Sequence, residues 1–268
     1  MGLLTRIVQP LVPRSIRRKV REARIRREIR TWQDLDLHRD LTGLRVKVSS
    51  RSDWTVFNEI FVEGFYDRAI AHVLNQVPVN RMLHVLDLGA NVGFFALRFS
   101  QMVFQSDHPD RPFFIHCVEG SPRVYEDLAA RVVGNPRLKG HIETVHGLIG
   151  QRSGSTKIYQ SSFGAGNSTI PQHWSTPVTV SYVDLYALVH DGPIALLKCD
   201  IEGSEQTFQN QYHELLQRTD AAVVELHHKY ISPSTFCQGM RALGFAQQDV
   251  LWASQKDQEP ASLVLFRH

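Results

Sequence analysis

The sequence predicts an α/β fold: a largely parallel sheet with helices on both faces, a C-terminal antiparallel hairpin and an N-terminal helical extension. Three observations predict it. Downstream of about residue 66, short apolar runs alternate with amphipathic segments, the pattern of strands and their crossover helices. The first of these strands passes from Asp87 through a turn bearing Gly89 and Gly93 into a helix at Phe94, as ligand-binding open sheets do. The last two apolar runs are joined by the short polar segment Ser254–Ala261, too short for a crossover helix and suited to a hairpin.

Composition agrees with a globular chain. Its 268 residues are 43% hydrophobic and 21% charged, enough apolar material for a sizeable core. No stretch approaches ~18 uninterrupted apolar residues, which excludes a transmembrane helix. Arg and Pro break the N-terminus too often for a secretory signal. Cys117, Cys199 and Cys237 form no Cys-x-x-Cys pair. Two of them sit in strand-like runs as small hydrophobes, which fits a reducing cytoplasm and argues against a disulfide scaffold or zinc site.

In chain order, residues 1–52 are a basic extension and residues 53–268 one α/β domain. Residues 1–30 carry ten Arg or Lys against Glu22 and Glu28, a net +8; the whole chain is +3, so the remainder is −5. A helix is expected from an N-cap at Ser15 to about Trp32, with a thin apolar stripe (Ile16, Val20) among arginines. It fits a solvated helix, or peripheral contact with the anionic inner face of a membrane. A basic arm alone is weak ground for nucleic acid.

Residues 53–65 read as extended or irregular, with a helix from Tyr66. Strands are expected at His84–Leu88, Phe113–Glu119, Ile142–Ile149, Thr156–Gln160, Val178–Tyr182, Ala195–Asp200, Ala221–His227, Ala246–Ala253 and Leu263–Arg267. Helices are expected at Phe94–Phe104, Arg123–Val133, Asp184–Val189, Glu205–Gln217 and Pro233–Leu243. The Gly- and Ser-rich loop Ser161–Thr169 is either a plain turn or a lid near the site.

The turn after the first sheet strand carries the ligand signal. At Gly89 a Cβ would obstruct close approach of the backbone to a ligand, and Gly93 lets the next helix lie near the strand. Asn91 adds an amide. The spacing Gly89-Ala90-Asn91-Val92-Gly93 does not match the dinucleotide pattern Gly-x-Gly-x-x-Gly. The carboxylate of Asp87 suits a cofactor with a cationic amino group better than a pyrophosphate. Glu119 ends the next strand, thirty-two residues on, where a carboxylate accepts hydrogen bonds from ribose hydroxyls. Ser121 and Pro122 then open a helix.

Asn58-Glu59-Ile60-Phe61-Val62 with Tyr66, Asp87 to Gly93, Val118-Glu119-Gly120-Ser121-Pro122, and Leu197-Lys198-Cys199-Asp200-Ile201-Glu202-Gly203-Ser204-Glu205 stand in an informative order. Together they resemble the FkbM family of methyltransferases over roughly residues 53–230. Gly120 departs from that family's more usual Glu-Pro. The resemblance implies a Rossmann-like class I methyltransferase sandwich with a mostly parallel seven-stranded sheet. It implies S-adenosyl-L-methionine held by Glu59, Tyr66, Asp87, Gly89, Asn91, Gly93, Glu119, Ser121 and Asp200. It also implies O-methylation of a hydroxyl on a glycan or glycolipid sugar, or on a small-molecule secondary metabolite. A non-catalytic binding protein on the same fold is the reading from another class.

Methyl transfer from a sulfonium requires alignment and removal or masking of the acceptor proton. With Ala195–Cys199 read as the fourth strand of the parallel sheet and Ala221–Val224 as the fifth, Asp200, Glu202 and His227 stand at or just past their ends and are the catalytic candidates. In one scheme Asp200 and a fifth-strand group, Glu225, hold a divalent cation such as Mg²⁺ that acidifies the hydroxyl. In the other, His227 or a carboxylate takes the proton directly. Lys198, inside an apolar strand, needs a carboxylate partner.

Overall fold

The structure is a computed structural model and describes residues 14–35, 37–160, 176–189, 191–254 and 260–268. The Ser161–Thr169 loop and the apolar start of the leader lie outside the described residues.

A helix α1 (Arg14–Leu35) comes first, beginning one residue before the expected cap Ser15. It is followed by a hairpin of β1 (His38–Leu41) and β2 (Leu44–Lys47) that periodicity does not reveal, because each strand has only four residues. Thr42 and Gly43 turn it, both at positive φ (54° and 76°), which matches the right-handed twist of a tight hairpin. Leu41, Leu44, Val46 and Val48 bury themselves against the main domain, so the core reaches back to residue 41.

The stretch expected to be irregular is helical. α2 (Arg51–Phe57) is capped by Ser50, whose hydroxyl accepts the Asp53 N–H at 3.0 Å, while the Asp53 carboxylate accepts the Ser49 N–H. Ser50-Arg51-Ser52-Asp53 is thus a capping pattern with Asp in the reciprocal position. A π-helical turn (Asn58–Val62) continues it, Glu63 N–H reaching the Asn58 carbonyl five residues back. Such turns re-aim side chains. α3 (Asp67–Gln76) then leads into the sheet.

The main sheet is built from β3 (Leu83–Leu88), β4 (Phe113–Glu119), β5 (Ile142–His146), β8 (Ile194–Cys199), β9 (Thr219–His227), β10 (Gln247–Ala253) and β11 (Ala261–Arg267). Its order is β10-β11-β9-β8-β3-β4-β5, with β11 antiparallel to both neighbours and the rest parallel. The chain winds one way from β3 to β5, then returns to β8 on β3's other side. The switch point therefore lies between β3 and β8, where ligands bind in open sheets. β6 (Ser155–Gln160) and β7 (Thr176–Ser181) form a separate antiparallel pair outside the main sheet.

Helices α4 (Phe94–Gln105), α5 (Pro122–Val133), α6 (Leu185–Leu188), α7 (Glu205–Gln211), α8 (His213–Gln217) and α9 (Pro233–Ala242) complete the sandwich. Alternating strand residues feed two cores: Leu83 and Val85 pack with α3 and α4, Leu86 and Leu88 with α7 to α9. The expected single helix Glu205–Gln217 is broken at Tyr212. That side chain is wholly buried, its hydroxyl donating to the Val183 carbonyl at 3.0 Å and accepting the Leu185 N–H at 3.3 Å. Anchoring the ring across to α6 takes precedence over helix continuity. Among the described residues, no helix is long and apolar enough to cross a membrane.

Candidate active site

Asp87 and Lys198 are register partners on β3 and β8, on the same face of the sheet. Lys198 Nζ stands 3.3 Å from Asp87 Oδ1 and 3.8 Å from Asp200 Oδ2, and donates to the Gly89 carbonyl. The Asp87 side chain is wholly buried and that of Lys198 only 5% exposed. Burial pulls the ammonium's pKa down, but Asp87 and Asp200 outweigh it and hold the group above its ordinary value. Burial raises the Asp87 carboxyl, against the opposing pull of Lys198. The carboxylate that the sequence offered to a ligand's amino group therefore already has a cation, supplied by the chain itself.

The glycine turn follows. Gly89 has φ +72°, and a Cβ on it would lie 1.7 Å from the Asp200 carbonyl oxygen. No side chain fits there, because the backbones leaving β3 and β8 touch at that point. Gly93 (φ +85°) would press a Cβ to 2.7 Å from the Leu128 side chain on α5. Asn91 also has positive φ (51°), its Oδ1 accepting the Val92 N–H at 2.8 Å.

Glu119 ties this turn to the next one. Its Oε2 accepts the Asn91 N–H at 2.9 Å and its Oε1 the Ser121 N–H at 2.7 Å. Burial raises its pKa while the two N–H groups oppose the shift. At Gly120 a Cβ would lie 2.5 Å from Leu148 Cδ2, the movable end of that side chain.

Beside these turns a cleft opens, lined by fourteen of the described residues. Glu59, Tyr66, Asn91, Lys198, Asp200 and Glu225 supply its polar wall. Phe65, Phe94, Phe95 and Trp252 supply an aromatic wall, with Phe65 stacked on Trp252 at 5.3 Å between centroids. Of the predicted residues, Glu59, Tyr66, Asn91 and Asp200 meet here, along with Glu225. Asp87, Gly89, Gly93, Glu119 and Ser121 build the turns beside it. Sequence reasoning missed Phe65 and Trp252. Trp252 arrives from β10 across a register shift between Val250 and Trp252, which strand alternation does not show. Burial, then the charges of Asp200, Glu225, Asp87 and Glu59, raise the Tyr66 pKa and keep it a neutral phenol.

Asp200, Glu202 and His227 converge behind the cleft. His227 Nε2 lies 3.9 Å from Asp200 Oδ1 and 3.6 Å from Glu202 Oε2, and Nδ1 lies 2.7 Å from Glu205 Oε1. Glu202 holds its place with a positive φ of 54°. Burial works against charging the imidazole, but Glu205, Asp200 and Glu202 prevail and push its pKa up to about 10. An imidazolium at neutral pH is no base. Burial, then repulsion from Asp200, raises Glu225 to about 8. The expected metal pair Asp200 and Glu225 shares the cleft, but the atoms that gather around one point are those of Asp200, Glu202 and His227.

No protein-family model and no curated protein matches the sequence. Solved structures similar to this chain include the METTL16 MTase domain, 12% identical over 75% of this chain at a TM-score of 0.45. This chain spans 66%, a little under two thirds, of that domain's length. The N-terminal domain of EvdMO1 in the presence of SAH and D-fucose is 11% identical, with 76% of this chain and 82% of that one covered, TM-score 0.45. The human methyltransferase 10 domain containing protein is 12% identical, with 80% and 92% covered, TM-score 0.45. Likenesses so distant carry no argument about activity. The architecture stands on its own strand order: five parallel strands wound from β3 in both directions, closed by the antiparallel β10–β11 pair, form a Rossmann-like, doubly wound α/β fold.

Two outcomes are expected. Lys198→Met strands the Asp87 charge in the core and lowers unfolding free energy by about 3–5 kcal/mol in urea denaturation; adding Asp87→Leu recovers most of the loss. Glu225 and His227 both hold protons in the fold that the unfolded chain releases, from ordinary values of 4.5 and 6.5. Stability therefore falls as pH rises, through pH 4.5 to about 8 for Glu225 and 6.5 to about 10 for His227. Glu225→Gln flattens the lower part of that decline, measured as melting temperature against pH.

Proposed function

We propose that this chain is an S-adenosyl-L-methionine-dependent O-methyltransferase acting on a hydroxyl, with a sugar of a glycan or glycolipid as the acceptor class. The observation that carries the cofactor reading is the character of the cleft at the switch point. Among the described residues, the carboxylates of Glu59 and Asp200 and the proton-bearing Glu225 face it with Lys198, whose charge Asp87 offsets, beside five aromatic rings. Such a wall favours a ligand with separated positive charges and apolar surface. Adenosylmethionine has that form, with an ammonium, a sulfonium and an adenosine.

The chain's own groups fit it. Glu119 ends β4 where ribose hydroxyls are recognised in sheets of this build, and Gly89 leaves the turn without a side chain. When bound, the cofactor supplies an electrophilic methyl group. Asp200 stands in the cleft to accept the acceptor's proton, and Tyr66 donates as a neutral phenol. The hydroxyl acceptor rests on the FkbM-like order of Asn58–Val62, Asp87–Gly93, Val118–Pro122 and Leu197–Glu205.

Calorimetric titration with adenosylmethionine is expected to show one site per chain, and Gly89→Ala to abolish it by forcing the Asp200 backbone away. Absence of heat at millimolar cofactor in the parent protein would overturn the reading. Labelled cofactor with a panel of glycan acceptors then identifies the product.

The leader adds a partner to this proposal: the anionic inner face of a membrane. In α1, Ile16 and Val20 are exposed one turn apart, within a segment of net charge +8. Apolar side chains entering the interface while arginines meet headgroups account for both features. Removing residues 1–30 is expected to reduce co-sedimentation with anionic liposomes, with neutral liposomes as the baseline. Equal sedimentation of both forms rules the contact out.

A further inference from the structure

Asp200, Glu202 and His227 come from the β8 terminus, the loop after it and the end of β9, yet one ligand atom from each falls within 4.8 Å of the others. Atoms sharing one cation through bonds of ~2.1 Å stand about 3–4 Å apart. The 3.6 Å and 3.9 Å separations from His227 Nε2 are of that size.

A second observation lies behind the ring. Glu205 is wholly buried, and its Oε1 takes both the Gly203 N–H at 3.0 Å and His227 Nδ1 at 2.7 Å. Its Oε2 is buried and has no hydrogen-bond partner among the described residues. An unpartnered buried carboxylate oxygen is costly, and it belongs to the carboxyl group whose other oxygen holds the rear of the imidazole ring. A buried carboxylate on the rear nitrogen is also what orients a metal-ligating histidine and increases its basicity.

We propose that Asp200, Glu202 and His227 bind one divalent cation, with Glu205 as the positioning residue behind His227. Two carboxylates and one imidazole suit a first-row ion of the Mn²⁺ kind. The Glu202 side chain is 58% exposed, so the remaining coordination positions are open to water or to an acceptor hydroxyl. Asp200 would meet the ion through Oδ1, the oxygen nearer His227, leaving Oδ2 on the Lys198 side as the proton acceptor; a hydroxyl bound to the ion becomes more acidic. That catalytic role rests on the methyltransferase reading; the binding itself does not.

The test uses the full chain and Mn²⁺ alone, without adenosylmethionine or acceptor, following loss of the free-ion paramagnetic resonance signal. One ion per chain with Kd below about 1 mM is expected. Glu202→Gln, at an exposed position that spares the fold, should weaken binding at least tenfold. Glu205→Gln, which touches the histidine but not the ion, should weaken it ten- to a hundredfold. Thermal melts of the metal-free variants identify any that fail to fold. Glu143→Gln, which alters a carboxylate beside His116 on β5, should leave binding unchanged. Absence of saturable binding, the same affinity in Glu202→Gln, or an equal loss in Glu143→Gln would each overturn the site. A failed Mn²⁺ titration leaves the cofactor titration standing, and the reverse also holds.

Discussion

The Lys198 ammonium, placed between β3 and β8 at the switch point of the sheet, is the interaction on which the site depends. It lies in a core that would otherwise reject it, and it is retained because Asp87, Asp200 and the Gly89 carbonyl surround it. A charge held that way fixes the relative position of two strand ends, since relaxing either would expose an unpaired ion to low dielectric. The same atoms thus serve as a structural pin and as one wall of the cleft.

Around that pin, backbone contact does much of the positioning. The absence of a side chain at Gly89 brings the turn after β3 against the Asp200 carbonyl. Glu119 then ties the turns after β3 and β4 through two backbone N–H groups. The π-helical turn and the register shift in β10 act at the cleft's rim, bringing Glu59 and Trp252 to the same opening.

Electrostatics then divides the labour among the acids. Asp87 is neutralised by Lys198 and faces the core. Glu225 holds a proton because Asp200 is beside it in a dry site. Asp200, partly exposed, faces the cleft and borders the His227 cluster. The imidazole, flanked by Glu205, Asp200 and Glu202, carries positive charge in the free protein, and a cation of higher charge meets the same field.

The sequence by itself determined the alternation of strands and helices, the terminal hairpin, the glycine turn and the two strand-end acids, because each depends on local periodicity or on backbone geometry that only certain residues permit; the order of the strands came from the tertiary structure. The β1–β2 hairpin and α2 were not legible: four-residue strands are too short to show a period, and the Ser50–Asp53 cap lies in a segment with little apolar pattern. The partners of the charges were decided only by the tertiary structure. Asp87 and Lys198 are more than a hundred residues apart and meet through parallel register. Whether Asp87 faces a ligand or the core, and whether His227 is a base or a cation, depends on burial and on neighbouring charge. Both arise only when strands distant in the chain are brought side by side.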